Sequence, residues 1–240
     1  MVLRVPDTGF TRVPYVARCR ISNAGRRRHG TICNVSKLGV YVHVEPVPEG
    51  EVEIVFGLPD GGTAVEAGAQ VTWVNDVPPE NVTALPVGCG LRFTVVAPED
   101  RQRIEELVEA FRREPEPLIG LAQPTTGRIR IPYVAPCTLV GPFGISQGST
   151  CNLSSHGIYA AVDRIPDVGS TLEVAVRLPG RRDPFEREGV VTWQNLDRPE
   201  RPHALPPGCG IRFEGLSLQD EQELAELVNE YLASLPPRSE

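Results

Sequence analysis

Lysine is almost missing from this chain. Lys37 is its only one, so arginine makes up nearly all of the 24 basic residues. Positive charge is also in the minority: 31 Asp and Glu leave a formal net charge of −7 over 240 residues. Nucleic-acid binders depend on a basic footprint to neutralise phosphates, so nucleic acid is not an expected partner. Long apolar runs are lacking too. No stretch approaches the roughly 18 apolar residues of a membrane span. The opening MVLRVPDTGF has no apolar core of a secretion signal. A cytoplasmic protein without membrane insertion is therefore expected. No CxxC pair offers metal-ligand spacing, and no GxSxG, P-loop or HExxH is present. Catalysis, a metal and a cofactor are accordingly not expected. Turn formers, by contrast, are plentiful. Proline (24) and glycine (23) fill about a fifth of the chain, below the roughly 25–30 % typical of unpatterned disorder. The chain should fold, with many turns and few long helices.

The chain is a duplication. Arg12-Val13-Pro14-Tyr15-Val16-Ala17 returns as Arg130-Ile131-Pro132-Tyr133-Val134-Ala135, at an offset of 118. GTICNVSKLGVYVHV from Gly30 returns as GSTCNLSSHGIYAAV from Gly148, at the same offset. Val71-Thr72-Trp73 and the block Leu85 to Phe93 recur at an offset of 120, after an insertion near Val168 to Ser170. Solenoid periods are about 20–50 residues, so each copy here is a whole domain. The expected division is domain 1 over 1–116, a Pro-rich linker over 117–124, and domain 2 over 125–240.

Within each copy, apolar and polar residues alternate over short stretches. Val52, Ile54 and Phe56 are one example, and Leu172, Val174 and Val176 are its repeat. Turn signals at Asn23-Ala24-Gly25, Pro59-Asp60-Gly61-Gly62 and Pro179-Gly180 separate the stretches. Ile104, Leu107, Val108 and Phe111 then recur at helical spacing, as do Leu224, Leu227, Val228 and Tyr231. Ser217 is placed to cap the second helix. This pattern predicts a mainly β protein, an antiparallel barrel or sandwich closed by a terminal helix in each copy. Three cysteines per copy (Cys19, Cys33, Cys89; Cys137, Cys151, Cys209) suit small apolar strand residues better than disulfides. His29, His43, His156 and His203 do not recur at matched positions, which leaves no repeated Cys-His pair. Trp73 and Trp193 read as core.

The most specific feature is Asn34-x-Ser36-x-x-Gly39, repeated as Asn152-x-Ser154-x-x-Gly157. Its composition suits a turn between strands: Asn and Ser bond nearby backbone, and Gly permits positive φ. An Arg-[Val/Ile]-Pro entry stands 22 residues before each Asn, at Arg12 and Arg130. A Trp and a Gly-x-Gly-[Leu/Ile]-Arg-Phe strand follow. This ordered set, covering both copies and nearly the whole chain, resembles the PilZ family of cyclic di-GMP receptors.

The resemblance implies a six-stranded antiparallel β-barrel followed by a C-terminal α-helix in each of two tandem domains. It also implies cyclic di-GMP as ligand. Arginine suits that molecule because its guanidinium forks onto phosphate or guanine and stacks on the base. In domain 2 the implied ligand residues are Arg128, Arg130, Asn152, Ser154 and Gly157. In domain 1 they are Arg12, Asn34, Ser36 and Gly39. Arg12 and Arg130 match the second arginine of the family's RxxxR element, while Thr8 and Thr126 stand at the first. Arg26, Arg27 and Arg28 form an arginine run on a hairpin tip, a candidate partner-docking patch. The expected function is a cyclic di-GMP-responsive signalling protein. The alternative is an adaptor that acts on a protein partner in motility or envelope assembly without nucleotide.

Overall fold

A computed structural model of the chain describes residues 11–77, 80–115, 118–119, 129–196 and 205–237. The first copy folds into strands β1 (Val13–Asn23), β2 (Arg26–Ser36), β3 (Gly39–His43), β4 (Glu51–Phe56), β5 (Val65–Asn75) and β6 (Gly88–Val96), followed by helix α1 (Pro98–Arg113). The strands lie in the order β2-β3-β6-β5-β4-β1, and β1 pairs again with β2. The sheet is thus a closed six-stranded antiparallel barrel with no free edge. A short strand β7 (Leu118–Ile119) adds in parallel to β1 at Tyr15 and Val16, within the segment that reads as a linker. The second copy repeats the design. Its strands are β8 (Ile131–Pro132), β9 (Pro136–Gly141), β10 (Gly144–Ser154), β11 (Gly157–Val162), β12 (Thr171–Val176), β13 (Phe185–Asn195) and β14 (Gly208–Phe213), and α2 (Leu218–Ala233) follows. Here β8 and β9 together do the work of β1, and β10 pairs with β11 to close the barrel.

The alternation read from sequence places the cores. Val52, Ile54 and Phe56 point inward and are buried, as are Leu172, Val174 and Val176, with glutamates between them outside. Each helix lays its apolar stripe on its own barrel: Ile104, Val108 and Phe111 in one, Leu224, Val228 and Tyr231 in the other. Ser217 caps α2 through a reciprocal pair with Asp220. All six cysteines are free and buried. Burial pushes the Cys89 thiol up to about 11 and those of Cys33 and Cys209 to about 12. They pack as small apolar groups, in surroundings that disfavour the thiolate.

The two tryptophans depart from expectation. Trp73 and Trp193 sit on the outer barrel walls, half-buried, not in the cores. Each β-ladder slips by one residue beside them, between Val71 and Trp73 and between Val191 and Trp193. A bulge of this kind re-aims side chains, which periodicity does not reveal. What covers the tryptophans is the other barrel. Val134 of the second copy packs with Cys33, Tyr41, Trp73 and Leu85 of the first. Val16 of the first packs with Cys151, Tyr159, Trp193 and Leu205 of the second. Every residue in one set is the repeat of its counterpart in the other. The interface is therefore reciprocal, with the self-complementary logic of a two-fold dimer built into one chain. Val82, on the β5–β6 loop, goes further and is buried with the second barrel's core.

Candidate functional site

Strand register gathers the motif residues on the outer wall of each barrel. Antiparallel partners share a face. In the first barrel, Pro14 lies opposite Asn34, Asn34 opposite Tyr41, Tyr41 opposite Gly90, and Gly90 opposite Trp73. The next row runs from Ser36 to Gly39 to Arg92 to Gln70. In the second barrel, Pro132, Asn152, Tyr159, Gly210 and Trp193 form the first row. Ser154, Gly157, Arg212 and Val190 form the second. Arg12 and Arg130 stand one residue before these ladders begin, which brings each within reach of its Asn. The spacing of 22 residues is what a bulged hairpin needs to set the two side by side.

The second site shows the contact directly. Arg130 Nη1 donates to Asn152 Oδ1 at 2.8 Å. Arg130 is half-buried, and Asn152 is 2 % exposed. In the first site Arg12 has no hydrogen bond to a described residue, and Asn34 is half-buried. Both line a cleft of about 250 Å³ between the barrels. Tyr133 and Val134 of the second barrel form part of its wall, and Ser234, Leu235 and Pro236 beyond α2 form another. Thr8, Thr126 and Arg128 lie outside the described residues.

The turn residues have local duties. Ser36 Oγ donates to the Gly39 carbonyl at 3.2 Å and accepts from the Leu38 amide at 3.3 Å. Ser154 Oγ donates to the Gly157 carbonyl at 3.1 Å and accepts from the His156 amide at 3.4 Å. A hydroxyl has one proton to donate, so both serines hold the hairpin. The glycines do not adopt the positive φ that their turn predicts; left-handed backbone occurs elsewhere, as at Gly25. Neighbouring backbone is the reason they are glycine. A Cβ on Gly39 would lie 2.0 Å from the Leu91 oxygen, and one on Gly157 would lie 2.2 Å from the Ile211 oxygen.

Sequence reasoning missed the support behind each wall. Tyr41 Oη donates to the Pro86 carbonyl at 2.6 Å, and Tyr159 Oη to that of Pro206 at 2.5 Å. Asn75 Nδ2 bonds the Leu85 and Pro86 carbonyls, and Asn195 Nδ2 bonds those of Leu205 and Pro206. These four side chains fix the loops that carry Leu85 and Leu205 into the interface. Their recurrence at the repeat offsets was the available signal. Exposed Arg92 and Arg212, opposite the turn glycines, were visible in the same way.

A PilZ domain model matches residues 8–110 and again 126–230. The chain belongs to the PilZ family. Three solved structures are among those to which the chain is similar. The inhibitor of motility (MotI/DgrA) of Bacillus subtilis is 12 % identical over 92 % of this chain and 98 % of its own, with a TM-score of 0.37. YcgR of Escherichia coli, solved in complex with c-di-GMP, is 12 % identical over 90 % of this chain and 84 % of its own, with a TM-score of 0.38. The PlzA protein of Borreliella burgdorferi, also solved with c-di-GMP, is 10 % identical over 91 % of this chain and 94 % of its own, with a TM-score of 0.35. No curated protein matches the sequence. Among the described residues no group of three or more His, Cys, Asp and Glu is placed to hold a metal ion, and no helix is long and apolar enough to cross a membrane.

Proposed function

We propose that this tandem PilZ protein is a cytoplasmic receptor for cyclic di-GMP that signals through the arrangement of its two barrels and catalyses no reaction. The observation that carries this reading is the Arg130–Asn152 hydrogen bond at 2.8 Å, on a wall turned toward the other domain. A guanidinium fixed beside an amide offers a charged fork for a phosphate and a hydrogen-bonding edge for a guanine. Arg128, two residues before Arg130 in the sequence, is the second cation of this reading. Ser154 and Gly157 keep the hairpin in shape and so hold Asn152 in place. Arg12, Asn34, Ser36 and Gly39 do the same in the first barrel.

In the first barrel, the cleft lined by Arg12 and Asn34 offers a route from bound ligand to signal. At about 250 Å³ it is smaller than the roughly 300–1,000 Å³ of sites for drug-sized molecules. A cyclic dinucleotide occupying it displaces the segment Ser234–Pro236 or parts the barrels, a hinge-type response. The test is isothermal titration of the full chain with cyclic di-GMP, with GTP as control. Saturable binding of cyclic di-GMP that weakens by about tenfold or more in Arg130→Ala and Asn152→Ala is the expected result, since a bond to a charged group contributes roughly 1.5–3 kcal/mol. No binding to the wild type at millimolar ligand overturns the reading, and binding unchanged in both variants overturns the site.

A further inference from the structure

A concentration of positive charge lies away from the nucleotide wall. From Thr8 to Val44 the chain carries seven Arg and Lys and no Asp or Glu, in a protein whose net charge is −7. The matching stretch of the second copy, Thr126 to Val162, carries only Arg128 and Arg130. The excess is gathered on the β1–β2 hairpin. Its tip is the left-handed pair Ala24-Gly25, and its register pairs Arg20 with His29, Ser22 with Arg27 and Asn23 with Arg26. Arg20, Arg27 and His29 therefore face outward together, and all three are exposed, as is Arg26. Arg20, Arg26 and Arg27 have no ion pair or hydrogen bond with a described residue, and Arg28 Nη1 is buried without a partner.

The duplication provides an internal control. The β9–β10 hairpin has the same register, with Thr138, Gly144, Ile145, Ser146 and Gln147 at the positions of Arg20, Arg26, Arg27, Arg28 and His29. The hairpin thus folds without these charges. Clustered like charges repel one another, so they weaken the free molecule unless something acidic meets them. The hairpin is also remote from the nucleotide wall. Arg26 and Ser36 stand at opposite ends of β2, a strand length of about 30 Å at roughly 3.3 Å per residue.

The neighbouring strands identify the class of partner. On the same outer face, Ser22 is followed across the sheet by Glu53 on β4, and Arg20 by Val55 and then Glu66 on β5. Glu51, Glu53 and Glu66 are all exposed. A basic stripe on β1–β2 thus runs beside an acidic stripe on β4–β5, strands being about 4.8 Å apart. A uniform polyanion such as duplex DNA or an anionic bilayer meets repulsion from the second stripe. A protein surface presents both signs. We infer that the β1–β2 hairpin of the first barrel is a docking surface for an acidic segment of a partner protein, read by Arg20, Arg26 and Arg27.

The test uses the full chain and a fluorescein-labelled peptide of alternating Glu and Ala, followed by anisotropy. The comparison is the double variant Arg20→Glu, Arg27→Glu. Both positions are exposed, and melting temperature and the cyclic di-GMP isotherm serve as controls that it remains folded with an intact nucleotide wall. The expected result is binding that weakens by roughly tenfold or more in the variant. It should also weaken as salt shortens the screening length toward about 8 Å, and it should vanish when Gln replaces Glu in the peptide. Equal binding by wild type and variant, or no binding by the wild type, overturns the inference. Duplex DNA or anionic vesicles binding more tightly than the peptide also overturns it and assigns the hairpin to that polyanion. None of these outcomes bears on nucleotide binding, so failure here and failure of the receptor reading are distinguishable.

Discussion

Asn152 and Gly157 sit five residues apart in one motif, yet they answer to different forces. Gly157 is required by the Ile211 carbonyl, which leaves no room for a Cβ. Gly157→Ala should lower stability by about 1–3 kcal/mol, the range for forced overpacking, with or without nucleotide; urea denaturation checks this, and Gly39→Ala should behave alike. Asn152→Ala removes one hydrogen bond to the charged Arg130 and should cost about 1.5–3 kcal/mol, with a separate loss in ligand titration. The motif was legible because residues separated by a two-residue turn are neighbours whatever the rest of the chain does. The reason for its glycine was not, because Leu91 and Ile211 arrive from strands more than fifty residues away in sequence.

Helix α2 begins with charge in the right place. Arg187 on β13 donates to Asp220 through Nε at 2.9 Å and also through Nη2. Asp220 in turn accepts from the Ser217 amide at 2.9 Å. The Arg187 guanidinium, helped by Ser217, holds the Asp220 carboxyl at about 2, below its ordinary 3.8. Because the folded value is depressed, this contribution is complete above the ordinary value and is lost as pH falls toward 2. Acid titration followed by circular dichroism should show wild type losing stability from about pH 4 downward more steeply than Asp220→Asn. Ser217→Ala should cost about 0.5–2 kcal/mol at neutral pH. Helix α1 has no side-chain cap, so Ala97→Gly should change stability little by comparison. The capping serine was readable from sequence, since a cap acts within one turn. Arg187, the partner of Asp220, was not, because β13 is placed by the sheet.

The two barrels share apolar surface in both directions, through Val16, Val134 and Val82. Val82 is 3 % exposed among residues of the second core. The whole chain should therefore melt as one cooperative unit. Residues 125–240 expressed alone should melt below the full chain, and Val82→Asp, which buries an unpaired charge, should lower the transition of the second barrel although the substitution lies in the first. Differential scanning calorimetry of the three proteins checks this. Two independent transitions in the wild type would show that the barrels do not support each other.

Local chemistry carried most of what could be read in one dimension. Strand alternation, two-residue turns, the helical stripes and the duplication depend on residues within a few positions of one another or on direct repetition, so the chain alone determined two mainly β copies, two helices and a pair of repeated Asn-x-Ser-x-x-Gly hairpins. The facing of those barrels was decided only in three dimensions. Trp73 and Trp193 are apolar in either setting, and nothing in their neighbours says whether the surface covering them is inside a barrel or on another one. Ladder slips turned them outward, where the valines of the opposite copy met them. The same closure brought the Arg12 and Asn34 wall against the second barrel, because burying those apolar faces excludes water from both at once.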